Sequence, residues 1–578
     1  MIILKKVLSL GYDLGDGETV IDAVTFEYDP DNSKIFDKSH LLALRMPDTD
    51  KPGEAIPTGY GYNKNNQIVF GNSIIARPQS VSDIHSYFKR KPKDLLGNIS
   101  TKRYSELEKI FSTDKWPSQS ECPEVYTDEF KKFKKCVQEF TNAIFSSDNL
   151  KSDIELKLVN CDEIIICVGH PTKWDNLDAA IYRTILKGSI LGNEKYLEKP
   201  CSFILAKESR AAYLYLKDLG TVQNTPAGTC SLLIDVGSST IDVTAVTQDS
   251  RNYSYNDGNN YLGVRSIDFM IRDWYFERLN AEGVFEKVNN LIKNNPSQEN
   301  AVVLKCRKAK ETAYSTAAGA IGYGLINIEL EKNTIDKLAS TVSVVKILNE
   351  ITKISPEDST KFGNKDWMAC FKQYLETQKS ALKKLDLPIG RIIITGGASK
   401  MTFIPPIIKK VFSEVPENEI HVDQAASQTI SRGLALVGPY DTKSQQFQKR
   451  IEELNETEIP QIISTDLIEL ANAISPIIEN IITAVVLRRV KDWRKGYLQT
   501  INDMSNAIKE DLSEENLKGI LKNDASYQDE IENWTVSKLG KDIAQKLKQI
   551  CDEYHVTEFT VDDLNVMKNV SVFIKRIS

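Results

Sequence analysis

The sequence predicts a mixed α/β protein whose core is built twice around a cleft, followed by a helical carboxyl-terminal region. Three stretches predict it. Leu232 to Val236 is an apolar strand with Asp235 near its end, Gly237 to Thr240 is a turn of small residues, and Ile241 to Val246 alternates as a return strand. Val7 to Leu14 repeats the plan near the amino terminus: Asp13, the turn Gly15-Asp16-Gly17-Glu18, then a return strand over Val20 to Phe26. Arg391 to Thr395 is a buried-type strand running into Gly396-Gly397-Ala398-Ser399-Lys400, and Ile404 to Val411 reads as the helix after it.

The chemistry of the central stretch follows from residue types. A turn of small residues lets backbone amides approach an anion closely. Asp235 lies at the carboxyl end of one strand and Asp242 just inside the next. Magnesium prefers oxygen ligands, keeps several waters and is held by few carboxylates. The expected site is therefore a magnesium-nucleotide site, with Asp13, Asp235 and Asp242 holding the metal through waters. Gly237, Ser238, Ser239 and Thr240 would cradle phosphate. One such stretch alone is equally a β-hairpin with a polar turn; the repeated plan favours the site.

Composition narrows the class. With 578 residues, 41% hydrophobic and 26% charged, the chain is ordinary globular material of several domains. A net charge of -7 gives no global electrostatic case for nucleic acid or an anionic membrane. The nine cysteines contain no Cys-x-x-Cys, which points to reduced thiols in a cytoplasmic protein. Met1 to Leu10 reads as a first strand, not a signal peptide. Ile474 to Val490 is the most apolar late segment, but Pro476, Glu479 and Asn480 interrupt it, so no membrane span is expected.

Over about the first 440 residues the order of motifs resembles the actin-like ATPase superfamily, most closely the nucleotide-binding domain of DnaK-type heat-shock chaperones. The resemblance implies two lobes around a nucleotide cleft over residues 1–440, with small lobes at about 41–124 and 280–385. It also implies ATP or ADP with Mg2+, and slow hydrolysis. Pro57 to Tyr60 and Gln67 to Gly71 resemble the family's extended segments. Tyr87 to Pro92 falls where the family places a lysine on the γ-phosphate, and Lys89 is preferred to Lys91. A solvated basic run is the alternative.

Further motifs fall in the family's order. Thr127 to Ser146 has the spacing of an amphipathic helix and Ile164 to Gly169 that of a strand buried on both faces. His170 reads as capping the helix Asn176 to Leu191 rather than as catalytic. Glu208, at the end of Phe203 to Lys207, would touch the metal's water shell or orient the attacking water, completing a catalytic set of Asp13, Lys89, Glu208 and Asp235. Tyr261 to Asp268 resembles the segment in which Gly263 lets backbone meet phosphate, and a helix is expected from Asp268 to Leu279. Leu304 to Ser315 resembles the adenine-packing helix, carrying Lys310, Glu311 and Tyr314. Gly396, Gly397, Ala398 and Lys400 would contact ribose and α-phosphate. Asp423 would sit near the base pocket, and Gly433 to Val437 would complete the last helix of the domain.

The sequence also departs from the family. Asp16-Gly17-Glu18 stands where the family carries paired hydroxyls. These carboxylates repel a triphosphate unless screened or turned away, leaving the Gly15 and Gly17 amides to face it. Only the first glycine of the 263 pair is kept, and Ala398 replaces a serine.

In residues 441–578, Lys443 to Leu454 is polar and helical patterns follow it through Val490, then over Tyr497 to Ile508, Leu517 to Leu521, Ile531 to Tyr554 and Val561 to Ile577. No peptide-binding β-sandwich is visible. Arg488, Arg489, Lys491, Arg494 and Lys495 around Trp493 read as a solvated helix face rather than a nucleic-acid site. The function these features imply is an ATP-binding, slowly hydrolysing conformational switch related to chaperones, contacting a protein partner or client through the helical domain. A self-assembling actin relative, a non-hydrolysing nucleotide-binding scaffold and a small-molecule kinase remain as alternatives.

Overall fold

The computed structural model describes the chain apart from residues 1–3, 30–34, 39–40, 98, 221–224, 227, 248–253, 315–320, 324–325, 353, 355, 424, 536–539 and 554–578. The protein is mixed α/β with a helical carboxyl-terminal region. It divides into two compact units, the first running to Tyr440 and the second from Asp441 onward.

Of the four sheets described in the first unit, two are large and build its core. In one, β1 (Lys5–Leu14) pairs antiparallel with β2 (Glu18–Tyr28). On the other side of β1 lie β3 (Glu163–His170) and then β4 (Lys199–Lys207), both parallel to it. In the second sheet, β5 (Cys230–Val236) pairs antiparallel with β6 (Ile241–Thr247), and β7 (Tyr255–Asn259) lies beyond β6. On the other side of β5 lie β8 (Ile389–Thr395) and β9 (Ile420–Val422), again parallel. An antiparallel strand Ile35–Lys38 occupies the place in the first sheet that β7 takes in the second. The two sheets thus share one strand order and one set of directions.

Period-2 alternation sorts the side chains of each strand onto two faces. Leu8, Leu10, Tyr12 and Leu14 pack outward with helices α1 (Asp128–Ser146) and α2 (Asn176–Lys187). Leu232, Ile234 and Val236 pack outward in a separate cluster. The inner faces, through Val24 and Cys167 on one sheet and Leu233, Val246 and Ile393 on the other, share a third cluster. Helices α3 (Glu208–Asp218) and α6 (Thr429–Glu453) fill it with Ala211, Leu214, Leu434 and Val437. Their approach is close: a Cβ on Gly433 would stand 1.9 Å from the Ala211 carbonyl oxygen.

Local chemistry explains the element ends. Thr127 caps α1 by accepting from the Phe130 amide, and Asp128 and Glu129 favour its first turn. Asp175 caps α2 with a capping box closed by Asp178, so His170 does not cap it. His170 ends β3 instead, buried, its ring stacked on Trp174. Helix α2 stops at Lys187, before Gly188, short of the expected Leu191. Helix α4 (Arg265–Ala281) begins three residues before Asp268, and α5 (Gln298–Tyr314) covers the expected basic helix. None of the nine cysteines is in a disulfide, and seven of them are buried.

Helix α6 runs through Pro439 to Glu453, past the compositional shift at Tyr440. The second unit continues in Ile459–Arg494, Ile501–Asp511, Glu514–Asn523, Ala525–Asn533 and Gly540–Glu553. The expected helix Val561 to Ile577 lies outside the described residues. Phe447, Leu454, Ile463, Leu470, Trp534 and Leu547 form this unit's own core. Arg488 and Arg489 both bind Asp511, so part of the basic cluster is spent on an internal ion pair. Among the described residues the helical run 429–494 is, by length and composition alone, sufficient to cross a membrane. That differs from the reading of Ile474 to Val490, where three polar interruptions outweighed the apolar residues.

Candidate functional site

Asp13 and Asp235 occupy equivalent places, each the penultimate residue of the central strand of its sheet, each followed two residues later by glycine. Both line a cavity of about 600 Å³ at the carboxyl ends of those strands. In open α/β sheets this is where ligands bind. The turn 15–18 and the turn 237–240 form two of its walls. They approach so closely that a Cβ on Gly17 would lie 2.6 Å from Ser238 Oγ. The turn after β8 supplies a third wall through Gly396, Gly397, Ala398 and Lys400. Gly396 has φ 84°, and a Cβ there would stand 2.2 Å from Asp235 Oδ1. Only glycine combines that left-handed backbone with so near a carboxylate.

Lys89 and Glu208 complete the floor. Lys89 Nζ donates to Glu208 Oε1 at 3.0 Å, and both residues are buried. Glu208 is the first residue of α3, where the helix dipole favours a carboxylate. Lys91 instead faces Asp178 at 3.8 Å and does not line the cavity.

The site is rich in negative charge. Burial first, and then Glu208, raises the Asp13 carboxyl well above the usual range; Lys89 opposes the shift. Asp242 is raised for the same two reasons. Asp235 is also raised, by burial and then by Asp242, its direct cross-strand partner. Lys89 is paired with Glu208 and offsets Asp13, while the charged groups that raise Asp235 are carboxylates, so an added cation would be stabilised. Among the described residues no group of three or more His, Cys, Asp or Glu side chains converges closely enough to ligate a metal directly.

The carboxylates of the first turn do not stand bare. Asp16 is buried against Arg265 Nη1 at 3.0 Å, and Glu18 Oε1 lies 2.9 Å from Arg307 Nη2. Arg307 also donates to Glu311 through Nε at 2.7 Å. Lys310 is held by Asp268 at 2.6 Å and donates to the Val264 carbonyl. The turn itself is pinned by Thr58, which donates to the Gly15 carbonyl at 2.8 Å. Tyr314 and Lys308 line the cavity from the same helix, α5, as Lys310 and Glu311.

Three expected site residues are placed differently. Gly263 does not line the cavity: it packs behind the second turn, where a Cβ would stand 2.1 Å from the Ser238 carbonyl oxygen. Asp423 faces a second cavity and accepts from the Ala425 amide and the Thr429 hydroxyl, holding the turn before α6. Asp242 is buried beside the cavity, not on its lining. His170 is pushed down to about 4 by burial and is therefore neutral near pH 7. Arg265 and Arg307 were not among the expected residues. Arg307 precedes Lys310 by three and Tyr314 by seven positions, one helical face, so the spacing contained a signal for it.

The chain matches no protein-family model and no curated protein sequence.

Proposed function

We propose that the first unit is an actin-like, DnaK-like nucleotide-binding domain that holds magnesium-ATP in this cavity and hydrolyses it slowly. The observation that carries the reading is the repetition: two sheets of one strand order place two Asp-x-Gly turns on one cavity. A duplicated core with its repeat turns converging on a polar cavity suits a ligand with two anionic faces, metal and phosphate.

Magnesium, when bound, would neutralise developing charge on the phosphates. Asp13 and Asp235 are placed to hold its waters from opposite sheets, with Asp242 reinforcing Asp235 from behind. Glu208 is placed to accept a hydrogen bond from the attacking water, and Lys89 fixes that carboxylate while adding positive charge to the floor. Gly396 permits backbone to approach the ligand beside Asp235. Lys308, Tyr314 and Lys400 remain for the nucleoside end of the cavity. Loops from both halves contribute, so ligand occupancy would bias their closure; this is the basis of a nucleotide-dependent switch. Exposed apolar residues of the second unit, Ile468, Leu487, Tyr497 and Ile501, offer a protein partner a contact surface.

A second reading, binding without turnover, draws on one observation: the first turn carries carboxylates committed to arginines instead of hydroxyls free to meet phosphate. Phosphate release from magnesium-ATP by the wild-type protein and by Glu208→Gln separates the two. Catalysis predicts slow release that Glu208→Gln lowers about 10²-fold while ATP binding persists. No release by either, with binding intact, leaves the scaffold reading.

A further inference from the structure

Arg307 is 6% exposed, yet it lines the cavity. Two of its nitrogens are engaged, Nε by Glu311 and Nη2 by Glu18. The third, Nη1, has no hydrogen-bond partner, and neither has Ser238 Oγ. Both atoms flank Gly17, where a Cβ would lie 2.7 Å from Nη1 and 2.6 Å from Oγ. A buried donor left unmade is costly, and native structures rarely keep one without a purpose. The guanidinium is a rigid planar fork, so the carboxylates that fix two nitrogens also fix the direction of the third. That edge and the Ser238 hydroxyl meet where the two turns face each other.

Resting on the nucleotide reading above, we propose that Arg307 is a polyphosphate ligand supplied across the cleft from helix α5, with Glu18 holding it while no anion is bound. Guanidinium binds phosphate oxygens in two-pronged fashion and more strongly than it binds neutral acceptors. Glu18 and the incoming phosphate then compete for one cation. The carboxylate in the first turn acts as a stand-in anion: it keeps the arginine in place and limits affinity. Arg265 and Asp16 repeat the pairing beside it, with Asp16 enclosed and its second oxygen unpartnered.

The test titrates three probes, magnesium-tripolyphosphate, adenosine and magnesium-ATP, into the full-length wild-type protein and three variants. Arg307→Met is expected to weaken tripolyphosphate and ATP about tenfold or more, while adenosine binds as before. Arg307→Lys, which keeps the charge but loses the fork, is expected to fall between them. Glu18→Gln is expected to tighten tripolyphosphate, because the arginine loses its competitor. A mere brace between turn and helix predicts the opposite sign for Glu18→Gln, with both variants weakened alike. That result overturns the proposal, as does Arg307→Met binding tripolyphosphate like wild type. If Arg307→Met does not fold, the sign of the Glu18→Gln change decides by itself. Wild type that binds neither ATP nor tripolyphosphate sinks the nucleotide reading together with this one. Wild type that binds both, beside an unaffected Arg307→Met, overturns the arginine's role alone.

Discussion

Lys89 Nζ stands 3.0 Å from Glu208 Oε1, an enclosed ion pair joining residues 119 positions apart. Removing Lys89 strands Glu208 among like charges, whereas removing Glu208 leaves Lys89 among opposite ones, so the two variants should differ in sign. Lys89→Met leaves Glu208 beside Asp13, Asp235 and Asp242 without its lysine partner. It should lower the melting temperature of the nucleotide-free protein, whereas Glu208→Gln should raise it. On turnover both should lose: about 10²-fold for either, the range for one positioned electrostatic or acid-base group. Thermal unfolding and phosphate release check the two halves of this prediction.

The carboxylate cluster predicts a pH dependence. Asp13 and Asp242 are raised to about 7, by burial first and Glu208 second, and Asp235 is raised as well, by burial first and Asp242 second. A carboxyl whose folded value exceeds its unfolded value contributes stability at low pH that is lost as pH rises through the folded value. The nucleotide-free protein should therefore lose stability between about pH 4 and pH 7 and beyond, and Asp235→Asn should flatten that loss. Magnesium-dependent binding should run the other way, strengthening as pH rises through 7 and the carboxylates charge. Denaturation midpoints and titrations at several pH values measure both slopes.

Asp22 gives a second titration away from the cavity. It is buried in β2, accepts from the Ser431 hydroxyl of α6, and is raised to about 6, mainly by burial. The same sign applies: its contribution is full below the unfolded value and is lost as pH rises to about 6. Asp22→Asn should stabilise the protein at neutral pH and change little in acid. Chemical denaturation at neutral and acid pH reads the difference.

Gly433→Ala sets two effects against each other. Alanine in a helix interior gains about 1 kcal/mol over glycine. Its Cβ, however, would stand 1.9 Å from the Ala211 carbonyl oxygen, a backbone atom that cannot swing away. Overpacking of this kind costs about 3 kcal/mol, so the overlap should win and the variant should unfold at lower denaturant concentration. A stabilised variant would mean that α3 and α6 can separate without penalty.

Much of the core was legible in the sequence, for local reasons. Leu232 to Val236 and Arg391 to Thr395 are apolar runs that only buried strands accommodate, and the β5 and β8 elements include them. The spacing of Phe130, Phe133, Val137, Phe140 and Ile144 fixed α1 to within a residue. The charge partners were not legible, because pairing is a tertiary property: Arg265 and Asp16 lie 249 positions apart. Gly263 and Asp423 show the same limit. A glycine needed for packing against Ser238 looks like one needed for a ligand, and an aspartate that holds a turn looks like one that holds a base. Gly433 to Val437 was expected to complete the last helix of the domain, but α6 runs on through Pro439 to Glu453, since proline removes only one ladder bond.

The proposal that Asp13 and Asp235 hold one hydrated metal is tested most directly by calorimetric titration of ATP into wild type and Asp235→Ala, each with magnesium and with a chelator. The account predicts that wild type binds ATP with magnesium and that the substitution or the chelator weakens binding about tenfold or more. Equal affinity in all four titrations, or no binding by wild type, would contradict it.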